Sequence, residues 1–297
     1  MTPNAMTSQP YVGRFAPTPS GPLHAGSLVA ALGSYLDAKA HQGHWLVRIE
    51  DVDTPRCQPQ AAVTILEQLA AHGLKWDGDV IYQSQQTGHY QEYFDQLYDQ
   101  GLLYRCNCTR QQIKAAGGIY SGHCRVHPPA ANARCAWRYR NNQPILHWHD
   151  LGCGATDIDP AFAREDFILR RRDGLFAYQL AVVADDIAQQ VTHIVRGRDL
   201  LTASAWQLTL WQQLAGRLPQ LYHLPLVVDA DGRKLSKQNH APALRHDEVV
   251  AQLLMAAQAL GLHLPAQLTS PAAVLESALN AWITQGYSSF ARSSKLQ

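Results

Sequence analysis

Three short stretches hold residue types whose spacing suits chemistry. His24-Ala25-Gly26-Ser27 stands at the head of an apolar-periodic segment. A glycine at a helix start lets a phosphate approach the backbone N–H groups, and a nearby imidazole can donate to its oxygens. A histidine at that place serves equally as a helix cap or a packed ring, so the tetrapeptide alone leaves both uses open. Lys234-Leu235-Ser236-Lys237 sets two lysines three apart in a polar, glycine-containing loop. That arrangement can clamp a polyphosphate, and it can also be a solvated basic turn. Cys106, Cys108 and Cys124 place three thiols within 19 positions. They are one ligand short of tetrahedral zinc, and chemistry alone would choose His123 or His127 as the fourth. Packed free thiols are the plainer alternative.

The elements that must position these residues follow from pattern. Tyr11 to Phe15 reads as a strand, and the breaker-rich loop Ala16-Pro17-Thr18-Pro19-Ser20-Gly21-Pro22 follows it. Leu28, Ala31, Leu32, Tyr35 and Leu36 then recur with the spacing of one helix face. His44 to Ile49 is a second strand, followed by Glu50. A strand, a helix and a strand within ~40 residues imply parallel strands joined by a crossover. Both strands end at one sheet edge, so the Pro/Gly loop and Glu50 should meet there, where open α/β sheets bind ligands.

Further on, a helix is expected from about Gln58 to Ala71, with Val63, Leu66 and Leu69 inward. Another starts near Thr87 and carries Tyr90, Phe94 and Leu97. From about Leu103 to Arg172 the periodicity degrades, which suggests an insertion with its own small fold. Alternation returns at Phe176 to Val183 and at Val191 to Val195. A helix from Thr202 carries Trp206, Leu210 and Leu214, and Leu226-Val227-Val228 reads as a last strand feeding the lysine loop. The final ~60 residues look helical, with Val249, Leu253, Ala256 and Leu260 on one face.

The chain has 297 residues, of which 46% are hydrophobic and 16% charged. That profile is globular rather than disordered. Its 25 basic and 24 acidic residues leave a formal charge of +1, which excludes a strongly basic coat for nucleic acid but not a local patch. The start, MTPNAMTSQP, has no apolar core and no cleavage site, and no apolar run approaches a bilayer span. A cytoplasmic chain with no membrane partner is expected. Six cysteines are too few for a disulfide scaffold, and their clustering points to a metal first.

The order of the motifs narrows the reading further. A HxGx at the first strand–helix junction and a KxSK after the last strand resemble the HIGH and KMSKS signatures of class I aminoacyl-tRNA synthetases. Arg14-Phe15-Ala16-Pro17-Thr18-Pro19-Ser20-Gly21-Pro22-Leu23-His24 is similar to the first signature of glutamyl-tRNA synthetases. Arg48-Ile49-Glu50-Asp51-Val52-Asp53 and Val195-Arg196-Gly197-Arg198-Asp199-Leu200 resemble two further blocks of that group. The resemblance covers about residues 10 to 240. The short remainder, the Ala25-Gly26-Ser27 wording and the Cys-x-Cys…Tyr-x-x-x-Cys insertion resemble the glutamyl-queuosine tRNA(Asp) synthetase family in particular.

This resemblance implies an α/β fold with a class I synthetase-type, Rossmann-like parallel sheet. The core would be split into residues 10–102 and 173–240, with a zinc-containing insertion at 103–172. A helical segment at 241–297 would follow, with no anticodon-binding domain. It implies a monomer with ATP, L-glutamate and queuosine-bearing tRNA(Asp) as partners. Glutamate would be activated without tRNA and then attached to the queuosine base in the anticodon. Arg14 and Arg196 would take the two glutamate carboxylates, because arginine grips carboxylates bidentately. Glu50 would receive the ammonium, Tyr178 would line the pocket, and Phe15, Ala16, Pro17 and Thr18 would lie beside it. His24 and the Gly26 backbone would hold ATP oxygens, and Lys237 and Lys234 would meet charge on the leaving pyrophosphate. ATP would bring Mg²⁺, for which no protein carboxylate is an evident ligand. The resemblance makes Tyr120 the fourth ligand of one structural Zn²⁺ beside Cys106, Cys108 and Cys124. In the family the second signature is usually KMSKS; here Leu235 and Gln238 replace Met and the final Ser. A truncated glutamyl-tRNA synthetase charging a 3′ end, and an inactive RNA-binding paralogue, are the competing readings.

Overall fold

The structure is a computed structural model that describes residues 10–226 and 242–285. The first unit is β1 (Val12–Phe15), α1 (Ala25–Ala40) and β2 (His44–Ile49). β1 and β2 pair in parallel, with Arg14 opposite Leu46 and Phe15 opposite Val47. α2 (Pro59–Ala71) follows, and the short β3 (Ile81–Tyr82) extends the sheet in parallel beside β2. α3 (Thr87–Asp99) then leads into the insertion.

The insertion starts with β4 (Leu103–Cys106), α4 (Arg110–Ala115) and α5 (His123–Val126). β5 (Ala136–Tyr139), β6 (His147–Asp150), β7 (Gly154–Asp157), α6 (Pro160–Ala163) and β8 (Ile168–Arg170) complete it. Its strands are antiparallel, in a three-stranded order β4-β5-β8 and a separate β6–β7 hairpin. The chain returns through α7 (Tyr178–Ala188), β9 (His193–Gly197), α8 (Ser204–Ala215) and β10 (Gln220–Leu224). β9 and β10 pair in parallel, and Thr192 bonds Val12 through its backbone and its hydroxyl, so the two parallel ladders abut at β1 and β9. α9 (Val249–Ala259) and α10 (Pro271–Gln285) pack on α1.

Helices cover the parallel strands on both faces, so the strands are apolar on both sides. Successive strand residues point to opposite faces. Val195 and Tyr222 join the cluster that holds α1, α9 and α10, whereas Ile194 and Leu221 join the one that holds α3, α7 and α8. Among the described residues, no helix is long and apolar enough to cross a membrane.

Three expectations need correction. Val63 is 45% exposed, whereas Leu69 is buried and Leu66 packs on the core as expected; the apolar stripe of α2 is centred on Ile65, with Ala61, Ala62 and Gln68 also buried. Phe176 to Val183 is no strand: the chain is helical from Tyr178, and consecutive buried residues from Leu180 to Ala184 show a helix enclosed on several faces. Such a run has no clear period to distinguish the two states. The last described strand ends at Leu224, since Pro225 has no N–H to continue a ladder. Leu226 lies outside any strand, and Val227 and Val228 lie outside the described residues.

Candidate active site

The site lies where β1, β2 and β9 end. The Glu50 N–H donates to the Pro17 carbonyl at 2.9 Å, which ties the first loop to the end of β2. Phe15 and Pro17 are buried, Ala16 is half-buried and Thr18 is exposed. The meeting of this loop with Glu50 is therefore as expected from the strand–helix–strand pattern.

Five charged groups fill the space beneath. Arg14 Nε and Nη2 donate to the two oxygens of Asp186 at 2.9 and 3.2 Å. Arg48 Nη1 donates to Asp186 at 2.7 Å, Nε lies 3.5 Å from Asp185, and Nη2 donates to Glu50 at 3.4 Å. Burial pulls the Arg48 pKa down, but Asp186, Glu50 and Asp185 outweigh it and leave it raised. Asp186 is also buried, yet Arg14 and Arg48 hold its carboxyl below the ordinary range. Glu50 differs: burial outweighs both arginines and lifts its pKa to about 7. Asp185, Asp186 and Arg48 were not among the expected site residues. Asp185 and Asp186 lie just past the alternating run Phe176 to Val183, in helix α7, and their signal was a pair of acids at the end of an apolar stretch.

Arg196, at the end of β9, is bonded on one edge only. Nε donates to His223 Nε2 at 3.2 Å and Nη2 donates to Ser204 Oγ at 2.7 Å. Nη1 is buried without a protein partner. Tyr178 opens α7, and its hydroxyl lies within electrostatic reach of Glu50, Arg196 and Arg14. Burial, aided by Glu50, pushes it up to about 12. Arg14, Glu50, Tyr178 and Arg196 are thus brought together.

His24 caps α1. Its Nδ1 accepts from the Gly26 and Ser27 N–H groups at 3.1 and 3.4 Å, while Ser27 Oγ accepts from the His24 N–H at 2.7 Å. Because Nδ1 accepts, Nε2 carries the imidazole proton in the neutral ring. The cap use and the donor use of His24 are therefore compatible, though the Gly26 N–H is directed at His24 itself. Lys234 and Lys237 lie outside the described residues. The flanks of their loop are placed: Leu224 ends β10, and the Leu244 N–H donates to the Leu23 carbonyl at 2.9 Å beside His24.

In the insertion, the sulfurs of Cys106, Cys108 and Cys124 lie within 4.8 Å of one another, with Cys108 and Cys124 at 3.5 Å. That group contains no imidazole or carboxylate. Tyr120 sits against it: its oxygen accepts from the Cys124 N–H at 2.8 Å, and Arg138 stacks on its ring at 3.7 Å. Burial and the neighbouring thiols push Cys108 up to about 12, as expected where several thiols share one space. A cation would reverse that, because coordination deprotonates thiols. The donor set therefore fits a soft, tetrahedral metal ion. Of the consecutive arginines Arg170, Arg171 and Arg172, Arg171 pairs with Asp53 and Asp173 at 2.9 and 2.6 Å, and Arg170 lies over the Phe94 and Phe176 rings.

The family described as "tRNA synthetases class I (E and Q), catalytic domain" matches residues 11–257. The chain belongs to this family, and with it to the aminoacyl-tRNA-synthetase type of ligase. The similarity extends to particular members. The glutamyl-Q tRNA(Asp) synthetase of Idiomarina loihiensis is 54% identical over 92% of this chain and 96% of its own length. That of Escherichia coli is 52% identical over 93% and 90%. The chain is also similar in fold to a glutamate tRNA ligase from Elizabethkingia meningosepticum, with a TM-score of 0.74 at 22% identity. It covers 91% of this chain and 64% of that one. A glutamate-tRNA synthetase from Elizabethkingia anophelis is matched with a TM-score of 0.68 at 26% identity, over 78% of this chain and 53% of its own length. The chain thus spans somewhat over half the length of these solved relatives and nearly all of the curated ones.

Proposed function

We propose that this protein activates L-glutamate with ATP in the absence of tRNA and transfers it to the queuosine base in the anticodon of tRNA(Asp). One observation carries the reading: Arg196 has a buried guanidinium nitrogen, Nη1, without a protein partner, and its guanidinium lies within electrostatic reach of Glu50, Arg14 and Tyr178. Glutamate brings two carboxylates and one ammonium, and this set is its complement in charge and count. The names of the curated relatives supply the acceptor.

Glu50 receives the ammonium, Arg14 and Arg196 take the carboxylates, and Tyr178 lines the pocket beside Phe15, Ala16, Pro17 and Thr18. A glutamate carboxylate oxygen attacks the α-phosphorus of ATP in line, and pyrophosphate leaves. Catalysis here is positioning and charge neutralisation, with no protein nucleophile. His24 Nε2–H and the Gly26 segment hold phosphate oxygens, and Lys237 and Lys234 meet the leaving group. Mg²⁺ bound to ATP neutralises phosphate charge. A queuosine hydroxyl then attacks the activated carbonyl and releases AMP. Cys106, Cys108, Cys124 and Tyr120 hold one structural Zn²⁺ in the insertion. The core halves, the insertion and the helical end divide at the boundaries read from the sequence.

The first test is glutamate-dependent pyrophosphate exchange without RNA, which the inactive-paralogue reading forbids. The second is radiolabelled glutamate transfer to three RNAs: tRNA(Asp) with queuosine, its unmodified transcript, and the modified tRNA lacking its terminal adenosine. Labelling of the first and third alone supports the proposal. Labelling of tRNA(Glu) that disappears with its terminal adenosine would restore the 3′-charging reading.

A further inference from the structure

Arg14 and Arg196 are held in different ways. Arg14 gives its Nε–Nη2 edge to a carboxylate, Asp186, which it shares with Arg48. Arg196 gives the same edge to two neutral groups, the His223 ring and the Ser204 hydroxyl. Ser204 Oγ in turn donates to the Leu200 carbonyl at 2.9 Å. Only the far edge of Arg196, with Nη1, remains for a ligand.

His223 can serve this way in one tautomer alone. Its Nδ1 lies 2.5 Å from Asp150 Oδ2, so Nδ1–H donates and Nε2 offers its lone pair to Arg196 Nε–H. Protonating Nε2 would set N–H against N–H and cation against cation. Asp150 is fixed in its turn: Oδ1 accepts from the backbone N–H groups of Gly152, Cys153 and His223 at 3.0, 2.9 and 3.1 Å. Asp150, His223, Ser204 and Arg196 are all at least nine-tenths buried.

Asp150 ends β6, so it comes from the insertion, whereas Arg196 and His223 come from the parallel strands. The β6–β7 turn is bonded to β10 through the Leu151 N–H and the Leu221 carbonyl at 2.8 Å. Gly152 makes this approach possible, because a Cβ there would lie 2.4 Å from the His223 carbonyl oxygen.

We infer that Asp150 and His223 are positioning residues for Arg196: they fix the histidine tautomer and aim the guanidinium's far edge at a carboxylate of the amino-acid substrate. This rests on the proposed glutamate pocket and extends it to a residue supplied by the insertion.

The test is pyrophosphate exchange with separate KM values for glutamate and ATP. His223→Asn keeps a donor for Asp150 but has no acceptor that reaches Arg196. It should raise the glutamate KM about tenfold and leave the ATP KM within about twofold. His223→Gln places an oxygen near the lost Nε2 and should recover part of that loss. Asp150→Asn presents an N–H to Nδ1, forces the other tautomer and should raise the glutamate KM at least as much as His223→Asn. The ¹⁵N signals of His223 in the unliganded wild type should show Nδ1 protonated. An Nε2–H tautomer there, or an unchanged glutamate KM in His223→Asn or Asp150→Asn, overturns the positioning role while the glutamate reading stands. A wild type without glutamate-dependent exchange overturns the glutamate reading and this role with it.

Discussion

The strand-edge pocket and the cysteine cluster solve one problem, crowded ionisable groups, by opposite means. At the strand ends, Asp186 is shared by Arg14 and Arg48, and Asp185 lies against Arg48, so the chain supplies cations for its own anions. Within the pocket, Arg196 Nη1 is buried without a protein partner. In the insertion, three thiols and a phenol converge within a small apolar cluster of Tyr104, Cys106, Tyr120 and Cys124. Arg138 touches that cluster through Cys106 and the Tyr120 ring, but it is one cation against several acidic donors. The first region is balanced by side chains; the second is a donor set suited to an added cation. Loss of one component should therefore act differently in the two places.

The largest effect is expected at the cysteine cluster. Protein purified without added metal should carry about one zinc per chain by elemental analysis. Cys108→Ser should lose all of it and open the insertion to limited proteolysis, because metal binding contributes folding free energy directly. Full retention of zinc in Tyr120→Phe would move the fourth ligand elsewhere, with His123 the next candidate. In the pocket, Asp186→Asn leaves Arg14 and Arg48 with less counter-charge. Breaking a buried ion pair costs about 3–5 kcal/mol, so urea unfolding should show a loss of that order. A loss under about 1 kcal/mol would mean that the two arginines find other partners.

A somewhat smaller change is expected for Lys237→Ala. If Lys237 stabilises charge on departing pyrophosphate, exchange should fall about 10²-fold with the protein still folded. An unchanged rate would sink that assignment. The zinc content of the same variant should be unaltered, which separates the pocket from the cluster.

The parts legible in the sequence were those with local period or strong punctuation. The β1–α1–β2 unit and the α3 stripe of Tyr90, Phe94 and Leu97 follow from spacing alone. The convergence of Arg14, Glu50, Tyr178 and Arg196 was accessible only through resemblance, because pattern cannot say which of 25 basic residues shares a pocket. Asp150 and His223 were not legible at all. They are 73 positions apart, lie in different substructures, and meet only because a hairpin of the insertion docks on β10 at Gly152. Helix α7 was missed for a different reason: burial on several faces erases the period that would reveal it.

Glu50 provides the finest test of the comparison, because burial outweighs the two arginines at the carboxyl that would receive the ammonium. Burial places its pKa at about 7, above the ordinary glutamate value. Folding therefore favours the neutral carboxyl. The stability this contributes is fully present below the unfolded-state pKa of about 4.3 and is lost as pH rises through about 7. Glutamate binding has the opposite slope. An ammonium placed on Glu50 favours the carboxylate, so binding below pH 7 must expel a proton, and affinity should fall as pH falls. Between pH 8 and pH 6 the ionised fraction drops roughly tenfold for a pKa near 7, and the glutamate KM should rise by about that factor. Calorimetric titrations in buffers of different ionisation enthalpy should register about one proton released per glutamate at pH 6 and little at pH 8. Glu50→Gln should flatten the slope of stability with pH and abolish the proton release. A glutamate KM that stays level from pH 8 to pH 6, with Glu50 intact, would show that the ammonium is received by some other group and that Glu50 belongs wholly to the charge lattice of Arg48.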